Sequence, residues 1–587
     1  MKKRIAIIDK EKCHPSECGD YLCAKLCPVN RTGTDCVLPH EIHKKAKIDE
    51  LLCTGCSICS NRCPYQAIQI INLPEALNKE PVHRFGENAF ELFSLPTPIF
   101  GQVTGILGKN GIGKTTALQI LAGLLKPNLG NYEKETDFKD VINYFKGSET
   151  QKFLMKMHVG DIKLSYKLQQ VDLIAKQFTG TVRELLEKVD EKKQLNEVAQ
   201  ELQLTRFLDT PVNKISGGEL QRVAIAASVL KKANIYFFDE PSSYLDIKQR
   251  VNVSKFIRNL ADEDTSIIVI EHDLIILDYM TDLLNLMYGQ ESAYGIVSGI
   301  KNSREGINAF LEGFLKEENI RFRSYPIKFE KVQDRQVGTQ QKLISWKHLS
   351  KKLGNFILES ESGELYKNEI IGVLGENGIG KTSFVKLLAG VKKPDNCRVD
   401  LNVKVSYKPQ YLNSDSTELV MVVLANALKK HKSDVIKPLE IEPLLEKQIN
   451  QLSGGELQRV AIAEALSKDC NLVLLDEPSA YLDVEQRLVL SKIVSNLAYL
   501  RGISILVVDH DLLFLDYLSE KLMVFEGEPA VKGLATGPFI MEEGMNKLLK
   551  EVNITMRRDE FSGRPRINKE NSVKDREQKN KGRYYYS

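Results

Sequence analysis

Short apolar runs along this chain each end at a polar or glycine-rich segment. Val103–Leu107 and Ile370–Leu374 precede glycine-rich loops, and Ile235–Phe238 and Leu472–Leu475 end at Asp-Glu pairs. Unbroken apolar runs of this length, bounded by polar residues, are typical of strands buried on both faces of a parallel sheet. The pattern therefore predicts an α/β fold in which a buried sheet is formed twice, with reactive side chains at the strand ends.

The recurrence of four motifs in one order identifies a tandem duplication. GKNGIGKT at Gly108 returns as GENGIGKT at Gly375, and SGGELQRVAIA, FFDEPSSYLD and EHDL return in the same order. The lysines of the glycine-rich loops, Lys114 and Lys381, are 267 positions apart, whereas Ser216 and Ser453 are 237 apart. The first copy therefore holds 30 extra residues (267 − 237) between these motifs.

Most of the extra residues precede Gln169, which places an insertion at about 132–163 in the first copy. Its apolar residues recur three or four positions apart in two stretches separated by Gly147, and Ser148 with Glu149 is a helix-start signal. We predict a helix–loop–helix. Two interpretations stay open: a solvated elaboration of the fold, or a surface that binds a partner.

The glycine-rich loops carry the pattern GxxxxGK[ST], which wraps phosphate oxygens with backbone N–H groups at a helix N-terminus. Their lysines reach the β- and γ-phosphates, and the hydroxyls of Thr115 and Thr382 suit Mg²⁺. The candidate phosphate-binding residues are Gly108, Asn110, Gly111, Gly113, Lys114, Thr115 and Thr116, and Gly375, Asn377, Gly378, Gly380, Lys381, Thr382 and Ser383.

Acidic residues and a histidine follow the later strands of each copy. Asp239 and Asp476 are predicted to reach the metal ion, and the adjacent Glu240 and Glu477 to orient or deprotonate the attacking water. His272 and His510 follow Ser266–Ile270 and Ile503–Val508, where each can contact the γ-phosphate. A lone histidine is more often a satisfied core side chain, but the repetition of this strand-end position favours a functional role.

The SGGE segments at Ser216 and Ser453 have a serine cap followed by glutamate at the third helical position, which is the capping-box pattern. That pattern alone explains them structurally. The two glycines behind each cap also leave backbone N–H groups open to an anion.

Nine of the eleven cysteines precede residue 64. Cys53, Cys56, Cys59 and Cys63 with Pro64 form the bacterial ferredoxin run, in which the fourth cysteine ligates the other of two [4Fe–4S] clusters. Cys13, Cys18, Cys23 and Cys27 with Pro28 form a looser companion run. The ferredoxin rule assigns Cys27, Cys53, Cys56 and Cys59 to one cluster and Cys13, Cys18, Cys23 and Cys63 to the other, and Cys36 is left over.

A structural zinc site is the alternative for these cysteines, although zinc prefers CxxC pairs farther apart. Cys397 and Cys470 stand alone and are predicted to be small core residues. The start of the chain has only a short apolar run before Asp9, so no signal peptide is expected. No apolar run is long enough for a membrane helix, and a net charge of +3 is uninformative about a nucleic-acid partner.

Taken together, the repeated motifs resemble those of ATP-binding-cassette proteins with two nucleotide-binding domains on one chain. That resemblance implies that the serine and glycines of one domain cap the nucleotide held by the other. Lys114, Asp239, Glu240 and His272 would then pair with Ser453 and Gly455, and Lys381, Asp476, Glu477 and His510 with Ser216 and Gly218. Gln169 and Gln410 match the glutamine loop, and Asp246 and Asp483 the loop at the seam. Phe85 and Phe356 are candidates for stacking on adenine.

The cysteine-rich start, the inserted helix pair and segments such as REGIN at Arg304 and GRPRINK at Gly563 resemble the E subfamily of these proteins, the RNase L inhibitor or ribosome-recycling ATPases. The resemblance covers nearly the whole chain, and the richness of the sequence in Lys and Ile favours an archaeal source. It implies a cytoplasmic, monomeric ATPase with two [4Fe–4S] clusters, Mg²⁺ and two ATP sites. Such a protein splits ribosomes after termination or stalling and stays on the small subunit.

The implied partners are small-subunit rRNA and proteins, a release factor or its surveillance paralogue, and initiation factors, with no membrane. The insertion would contact the rRNA, and segments near 319–323 and 557–569 would be hinges. Two other functions stay open: a redox ATPase that gates electron transfer from the clusters, and the ATPase subunit of a transporter.

The predicted organisation has five parts. They are a ferredoxin-like domain at 1–75, a first cassette at 76–318, a hinge at 319–345, a second cassette at 346–555, and a second hinge and tail at 556–587. Within the tail, the segment beginning at Met556 is predicted to pack on a domain surface. The last third is too polar to be ordered in isolation.

Overall fold

The computed structural model describes residues 4–40, 44–72, 80–328, 341–396, 403–410 and 415–585. Cys397 lies outside these residues, as do positions 329–340 of the predicted first hinge. Cys470, the other lone cysteine, is buried, as expected for a small core residue.

Two eight-stranded sheets with the same strand order form the two cassettes, so the sequence repeat is also a structural repeat. Across the first sheet the strands are His83–Arg84, Glu91–Phe93, Tyr294–Asn302, Leu283–Gln290, Val103–Leu107, Ser266–Ile270, Ile235–Asp239 and Leu164–Lys167. Across the second they are Leu349–Leu353, Phe356–Ser360, Lys532–Ile540, Lys521–Glu528, Ile370–Gly375, Ser504–Val508, Leu472–Asp476 and Val405–Lys408.

The strands that carry the reactive residues lie next to one another and are parallel. Ile235–Asp239 pairs with Ser266–Ile270, which pairs with Val103–Leu107, and the second sheet repeats this order. Because parallel strands present their carboxyl ends at one edge, the glycine-rich loop, the Asp-Glu pair and the histidine of each cassette meet there.

Helices cover both sheets. In the first cassette they are Lys114–Leu121, Phe138–Tyr144, Glu149–Val159, Asp172–Gln177, Val182–Val189, Leu195–Glu201, Gly217–Val229, Ile247–Asn259, Leu274–Met280 and Ser303–Glu312, with short 3₁₀ turns at Thr205–Phe207 and Val212–Lys214. In the second they are Lys381–Leu388, Val420–Val423, Ala425–Lys430, Gly454–Ser467, Val484–Arg501, Leu512–Leu518 and Met541–Val552, with a π-turn at Lys432–Ile436 and 3₁₀ turns at Glu442–Leu444 and Ile449–Gln451.

The segment proposed as an insertion contains the helices Phe138–Tyr144 and Glu149–Val159. Ser148 caps the second helix by accepting a hydrogen bond from the backbone N–H of Gln151, and Gly147 between the helices has a φ of 82°. The apolar faces of both helices pack into the core of the first cassette through Val141, Phe153 and Leu154.

The cysteine-rich domain is built on two antiparallel strand pairs, Arg4–Ile8 with Ile68–Asn72 and Val37–Pro39 with Ala46–Ile48, and three short helices. These helices are Leu22–Leu26, Pro28–Arg31 and Ile58–Arg62. Ile5, Ile7 and Ile71 belong to the same hydrophobic core as Phe93 and Ile296 of the first cassette. The domain is therefore packed onto that cassette through an apolar face.

Three further two-stranded sheets lie at the margins of the cassettes: Phe314–Leu315 with Ile320–Arg321, Lys342–Trp346 with Gly363–Tyr366, and Met556–Arg558 with Pro565–Ile567. Part of the predicted first hinge, Lys342–Trp346, thus pairs within the second cassette. Among the described residues, none of the helices combines the length and apolar character needed to span a membrane.

The described part of the tail, as far as Tyr585, is folded against the cassettes, whereas the expectation drawn from its polarity concerned this segment in isolation. A helix at Val573–Asn580 follows the strand pair, and Tyr585 is buried, donating a hydrogen bond to Asp516 of the second cassette. Within this segment, Thr555 donates to the buried carboxylate of Asp575 at 2.7 Å. A few buried aromatic and paired polar groups therefore fix a segment whose mean composition is typical of disorder.

Candidate functional site

The glycine-rich loop of each cassette is folded around its own lysine. Lys114 Nζ donates hydrogen bonds to the carbonyls of Gly108 at 2.9 Å and Lys109 at 2.5 Å. Lys381 Nζ donates to Gly375 at 2.8 Å and to the next carbonyl at 2.6 Å. Burial lowers the pKa of both lysines, to about 8 for Lys381. Each ammonium thus lies beneath its loop, where a phosphate would bind.

At one position of each loop, Gly113 and Gly380, the backbone conformation and a neighbouring ring require glycine. Gly113 has a φ of 85°, and a Cβ placed there would lie 2.7 Å from the ring of Phe90. Gly380 has a φ of 98° and meets Phe356 in the same way, at 3.0 Å. Only glycine avoids both the left-handed strain and the clash.

In the first site, which we define as Lys114, Asp239, Glu240 and His272 with their neighbours, the acidic side chains point toward the loop. Thr115 Oγ1 donates to Asp239 Oδ2 at 3.0 Å, so the proposed metal ligands are already adjacent. Gln169 Nε2 donates to Glu240 Oε1 at 2.8 Å, and His272 Nε2 lies 3.6 Å from the same oxygen.

The second site has the same arrangement. Gln410 Nε2 donates to Glu477 Oε1 at 2.7 Å, and His510 Nε2 lies 3.6 Å from that oxygen. Glu240 and Glu477 both have a φ of 48°, in the left-handed region that non-glycine residues rarely adopt. Strain of this kind is concentrated at functional positions, and here the same strained residue occurs in both copies.

The two glutamates differ in their electrostatics. Burial raises the pKa of Glu240, and the carboxylates of Asp239 and Glu271 raise it further. Burial also acts upward on the pKa of Glu477, but hydrogen bonding and Coulombic attraction from His510 outweigh it and lower the pKa to about 2. Glu271 corresponds to Asp509 in the second copy, and the two carboxylates accept hydrogen bonds from equivalent backbone N–H groups, those of Ser242 and His272 in the first copy and those of Ser479 and His510 in the second.

The cassettes contact each other through the loops that follow the Asp-Glu pairs. Asp246 Oδ2 accepts a hydrogen bond from the backbone N–H of Asn377 at 2.9 Å, and Asp483 Oδ2 accepts from that of Asn110 at 3.2 Å. Lys248 pairs with Glu376 at 2.6 Å nearby. Each glycine-rich loop is therefore held by a carboxylate of the other cassette.

The helices Gly217–Val229 and Gly454–Ser467, called here the signature helices, begin with the expected capping boxes. Ser216 and Ser453 accept hydrogen bonds from the backbone N–H groups of Glu219 and Glu456, whose side chains accept from the serine N–H groups in return. Among the described residues, no hydrogen bond or ion pair joins Ser453, Gly455, Ser216 or Gly218 to the opposite loop, so their cross-cassette role stays a prediction.

A cleft of about 530 Å³ opens beside the first glycine-rich loop. It is lined by Phe85, Phe90, Asn110, Gly111, Gly113, Lys114, Thr115, Thr116, Gln169, Asp239, Glu240, Ile270, His272 and Ser292. The rings of Phe85 and Phe90 lie 6.3 Å apart between centroids. Their position makes both candidates for contact with a base.

The structural repeat pairs Phe356 with Phe90, not with Phe85. Leu92 and Leu358 occupy matching strand positions, opposite Gly295 and Gly533, and the residues two before them are Phe90 and Phe356. Phe90 was missed because it lies in a region where the two copies share little sequence.

A buried lysine in each site was also missed. Lys167 Nζ donates to the carbonyl of Asp239 at 2.8 Å, and Lys408 Nζ to that of Asp476 at 2.9 Å. Burial lowers the pKa of each to about 8. These residues hold the strand end that carries the two carboxylates. The signal was present in the sequence, because Ser-Tyr-Lys precedes the glutamine loop in both copies.

In the cysteine-rich domain, one set of thiols surrounds a common cavity. Cys13, Cys18, Cys23 and Cys63 line it together with His14, Tyr21 and Tyr65. The sulfurs of Cys13 and Cys63 accept hydrogen bonds from the backbone N–H groups of Ala46 and Ala67, both at 3.4 Å. Thiolate ligands of iron–sulfur clusters accept bonds of this kind, so the four residues fit such a cluster.

The second set, Cys27, Cys53, Cys56 and Cys59, also lies together. Burial raises the pKa of the Cys59 thiol, and the charges of the three other cysteines nearby raise it further. Cys36 is buried beside this set, and its thiol donates to the carbonyl of Asp49 at 3.7 Å. Among the described residues, no three His, Cys, Asp or Glu side chains converge on one point as ligands of a single ion do.

The cysteine-rich domain is attached to the first cassette beside the cleft. Asn88 donates from Nδ2 to the carbonyl of Ile48 at 3.0 Å and accepts from the Ile48 N–H at 2.9 Å. Arg84 pairs with Glu50 at 3.0 Å. Asn88 lies between Phe85 and Phe90 in sequence, so one short segment contacts both the cleft and the domain.

The tail joins the two cassettes. Arg564 is fully buried and pairs with Asp278 of the first cassette at 3.1 Å, and Arg566 pairs with the same carboxylate at 2.5 Å. Arg558 pairs with Asp516 of the second cassette at 3.0 Å. The segment predicted as a second hinge therefore contacts both cassettes.

Comparison with known protein families agrees with this architecture. The family described as ABC transporter matches residues 99–243 and 358–480. The family described as a possible Fer4-like domain in RNase L inhibitor matches residues 4–35, and that described as a 4Fe-4S binding domain matches 46–69.

Relatives match over nearly the whole chain. An uncharacterized ABC transporter ATP-binding protein of Methanocaldococcus jannaschii is 50% identical over 99% of this chain and 97% of its own length. Translation initiation factor RLI1 of Saccharomyces cerevisiae is 43% identical over 99% of this chain and 98% of its own.

Solved structures agree in the same way. A model of ribosome-bound archaeal Pelota and ABCE1 includes a chain that is 50% identical, with a TM-score of 0.94 and coverage of 100% of this chain and 99% of that one. A complex of archaeal ribosomal stalk protein aP1 with the ribosome recycling factor aABCE1 gives a TM-score of 0.82 over 86% of this chain and 99% of that one, also at 50% identity.

Proposed function

Since this chain belongs to the ABCE1 (RNase L inhibitor) family of ATP-binding-cassette ATPases with an iron–sulfur domain, we propose that it is an ATP-driven ribosome-recycling factor. It splits ribosomes into subunits after termination or stalling. The observation that carries this proposal is the match of the entire chain, iron–sulfur domain included, to a protein bound to the ribosome with Pelota. Cassette motifs alone would not distinguish this function from that of a transporter ATPase.

The chemistry of each site is assigned to a small set of side chains. Lys114 and the loop N–H groups bind the phosphates, and Glu240, held by Gln169 and Ser243, accepts a proton from the attacking water. Thr115 and Asp239 would hold Mg²⁺, which neutralises phosphate charge when it is bound. His272, whose pKa burial holds well below its usual value, is neutral and donates toward the γ-phosphate or Glu240. Lys381 and Glu477 have the same roles in the second site, where His510 occupies the position of His272.

Nucleotide binding is coupled to movement by the contacts at the seam. Asp246 and Asp483 each hold the loop of the opposite site, so a phosphate bound in either loop also affects the other cassette. A ligand shifts such an equilibrium only by binding one arrangement more tightly than another. We propose that the triphosphate favours the closed arrangement, in which the signature serines and glycines cap it, and that hydrolysis releases it.

The iron–sulfur domain is proposed to act as a rigid body that moves with the first cassette. Its apolar face shares a core with that cassette, and Asn88 and Arg84 anchor it beside the cleft. Two [4Fe–4S] clusters, held by the two cysteine sets, would cross-link a domain too small for a large core of its own. A stiff domain transmits force to the subunit interface with little loss to internal deformation.

The proposed partners follow from the relatives. They are the small ribosomal subunit, a release factor or its surveillance paralogue, and initiation factors, with the helix pair at 138–159 as a contact to rRNA. The site of action is the cytoplasm, and the protein acts as a monomer because both cassettes are on one chain. The domain limits given above, with hinges near 319–323 and 557–569, are part of this proposal.

The test is a sucrose-gradient profile of archaeal-type 70S ribosomes incubated with anaerobically prepared protein, a release factor and Mg·ATP. Glu240→Gln/Glu477→Gln is compared with Glu201→Gln/Glu361→Gln, which changes one exposed glutamate in each cassette. Wild type and the surface control convert the ribosomes to subunits, and the site variant is retained on the small-subunit peak.

No association with ribosomes in any nucleotide state, at low salt and with both clusters present, would overturn recycling. A reduction potential that changes with bound nucleotide, together with that result, would support a redox ATPase instead. Membrane association of the protein in cell fractions would instead support the transporter function.

A further inference from the structure

The segment that packs against the glycine-rich loop carries its acid at a different position in the two cassettes, as Gln290-Glu291 in the first and Glu528-Pro529 in the second. In the first, the backbone N–H of Ser292 donates to the carbonyl of Gly111 at 3.0 Å. In the second, that of Ala530 donates to Gly378 at 3.1 Å. The backbone contacts are equivalent, so the residues before them, Glu291 and Pro529, occupy equivalent positions. The first is an acid and the second is neutral and rigid.

Glu291 lies directly over the phosphate-binding loop. A Cβ placed on Gly111 would meet Glu291 Cγ at 2.5 Å and Oε1 at 3.3 Å, whereas one placed on Gly378 would meet nothing nearer than 3.7 Å. Burial lowers the pKa of Lys114, and Glu291 is one of the acids whose charge acts in the opposite direction and raises that pKa. The carboxylate is therefore within a few ångströms of the backbone that would bind the phosphates.

The other charged groups around Glu291 belong to the second cassette. Arg459 and Glu456 are on its signature helix, Glu440 precedes that helix, and Asp483 is the seam residue. Arg459 Nη1 donates to the carbonyl of Leu439 at 2.9 Å, but its Nε is buried with no hydrogen-bond partner. Arg459 Nη1 also lies 3.6 Å from a carboxylate oxygen of Glu440, so this arginine is shared among the carboxylates of the crevice.

We propose that Glu291 is an electrostatic determinant of nucleotide affinity that acts at the first site alone, opposing the triphosphate from one side of the loop and being offset by Arg459 of the second cassette. It is a positioning residue, since it touches the loop and not the reacting atoms. Like charges a few ångströms apart repel even in a solvated crevice, whereas Pro529 places no charge at the second site. This inference rests on the proposed assignment of the glycine-rich loops as ATP sites.

As a consequence, nucleotide binding at the first site depends on the second cassette more than nucleotide binding at the second site depends on the first cassette. When the cassettes are apart, the Glu291 carboxylate faces the phosphates without Arg459 nearby. When they are together, the guanidinium neutralises part of that charge. Binding of triphosphate at the first site then favours the closed arrangement through this pair, in addition to the contacts the two sites share.

The test uses the full-length protein with its clusters and measures binding of a fluorescent ATP analogue, mant-ATP, at one site at a time. In a Lys381→Ala background, which removes the second site, Glu291→Gln is expected to lower the Kd of the first site by about threefold to tenfold. Glu291→Asp, which keeps the charge, should change it little. The gain should be larger for mant-ATP than for mant-AMP and should shrink between 0.05 and 0.5 M KCl, because salt screens an exposed charge.

The equivalent position in the second cassette allows the reverse experiment, in which an acid is introduced. In a Lys114→Ala background, Pro529→Glu should raise the Kd of the second site by a similar factor, and Pro529→Gln should not. A change caused only by altered packing would be independent of salt and of phosphate number.

The results distinguish a wrong role for Glu291 from a wrong assignment of the ATP sites. If both sites bind mant-ATP and Glu291→Gln alters neither the Kd nor its salt dependence, the role of Glu291 is wrong and the ATP sites stand. If neither site binds mant-ATP in any of these proteins, with circular dichroism as for wild type, the assignment of the sites fails and this inference with it.

Discussion

The Asp246 carboxylate of the first cassette accepts a hydrogen bond from the backbone N–H of Asn377, in the phosphate-binding loop of the second cassette, at 2.9 Å. Asp483 makes the reciprocal bond to Asn110 at 3.2 Å. Each carboxylate also caps the helix that follows it, by accepting from the backbone N–H of Gln249 or Gln486. One side chain therefore fixes a helix start in its own cassette and a loop in the other.

Because each aspartate contacts the loop of the other cassette, a substitution in one cassette should change hydrolysis at the ATP site of the other. Asp246→Asn keeps an oxygen for the cap but removes the charge, and we expect ATP hydrolysis at the second site to fall about fivefold, for a loss of ~1 kcal/mol. The first site should change less. Asp483→Asn should give the reverse pattern. Phosphate release in single-site backgrounds (Lys114→Ala or Lys381→Ala) measures each, and an effect confined to the same cassette as the substitution would contradict the seam contact.

Replacing the two strained glutamates should separate binding from hydrolysis. Glu240→Gln/Glu477→Gln removes the proposed proton acceptors, and the hydrolysis rate is expected to fall by about 10²-fold or more. The Kd for mant-ATP should stay within about twofold, because Lys114 and Lys381 are untouched. A variant that hydrolyses ATP at the wild-type rate in a single-turnover assay would show that these carboxylates are not the base.

The two sites should respond differently to acid. The pKa of Glu240 is raised by burial and by its acidic neighbours, whereas that of Glu477 is lowered to about 2. A base works only when deprotonated, so the first site should lose activity as the pH falls through the raised pKa of Glu240, while the second stays deprotonated. Hydrolysis by the Lys381→Ala protein should therefore decline at higher pH than that by the Lys114→Ala protein. Identical profiles would contradict this asymmetry.

The cysteine partition predicts which substitutions remove which cluster. Cys63→Ala should abolish the cluster of the Cys13 set, and Cys59→Ala that of the Cys27 set, each lowering bound iron by about half. Cys36→Ala should leave the iron content unchanged. Iron analysis and electron paramagnetic resonance of the reduced proteins give the readout, since the remaining cluster keeps its own spectrum. Loss of iron on Cys36→Ala would mean that the ferredoxin rule assigns the ligands wrongly.

The junction of the tail with the first cassette should be sensitive to one carboxylate. Asp278→Ala leaves the buried guanidinium of Arg564 without its partner, which typically costs about 3–5 kcal/mol. The tail should then become susceptible to limited proteolysis after its arginines. Lys569→Ala, which removes an exposed lysine 3.7 Å from Asp282, should leave the cleavage rate unchanged. Equal protection of both variants would show that the junction is held by other contacts.

The sequence repeat was sufficient to predict the three adjacent strands of each sheet that carry the reactive residues. Each motif follows an apolar run, and Val103–Leu107 and Ser266–Ile270 are strands with the predicted limits. The reason is physical: a strand buried on both faces has few alternatives once its neighbours carry the same pattern. The contact of Thr115 with Asp239 agrees with the prediction that both reach the metal ion, whereas the contacts of Gln169 and His272 with Glu240 come from the structure.

Other features had no local signal. Phe90 lies where the copies diverge, and only the pairing of Leu92 with Gly295 reveals its match to Phe356. Glu291 is a surface acid in a turn, and its significance depends on Gly111 and on a cassette far away in sequence. The polar tail is ordered by the burial of Arg564 and Tyr585 among partners from both cassettes, which composition cannot foresee.

The tail also bears on how the molecule is made. Synthesis proceeds from the N-terminus, so both cassettes are complete before Arg558, Arg564 and Tyr585 are added to the chain. Each cassette therefore folds while still unclamped, and the bonds to Asp278 and Asp516 are the last to form. A chain that ends before these residues keeps the seam contacts of Asp246 and Asp483 but lacks the tail bonds that also join the cassettes.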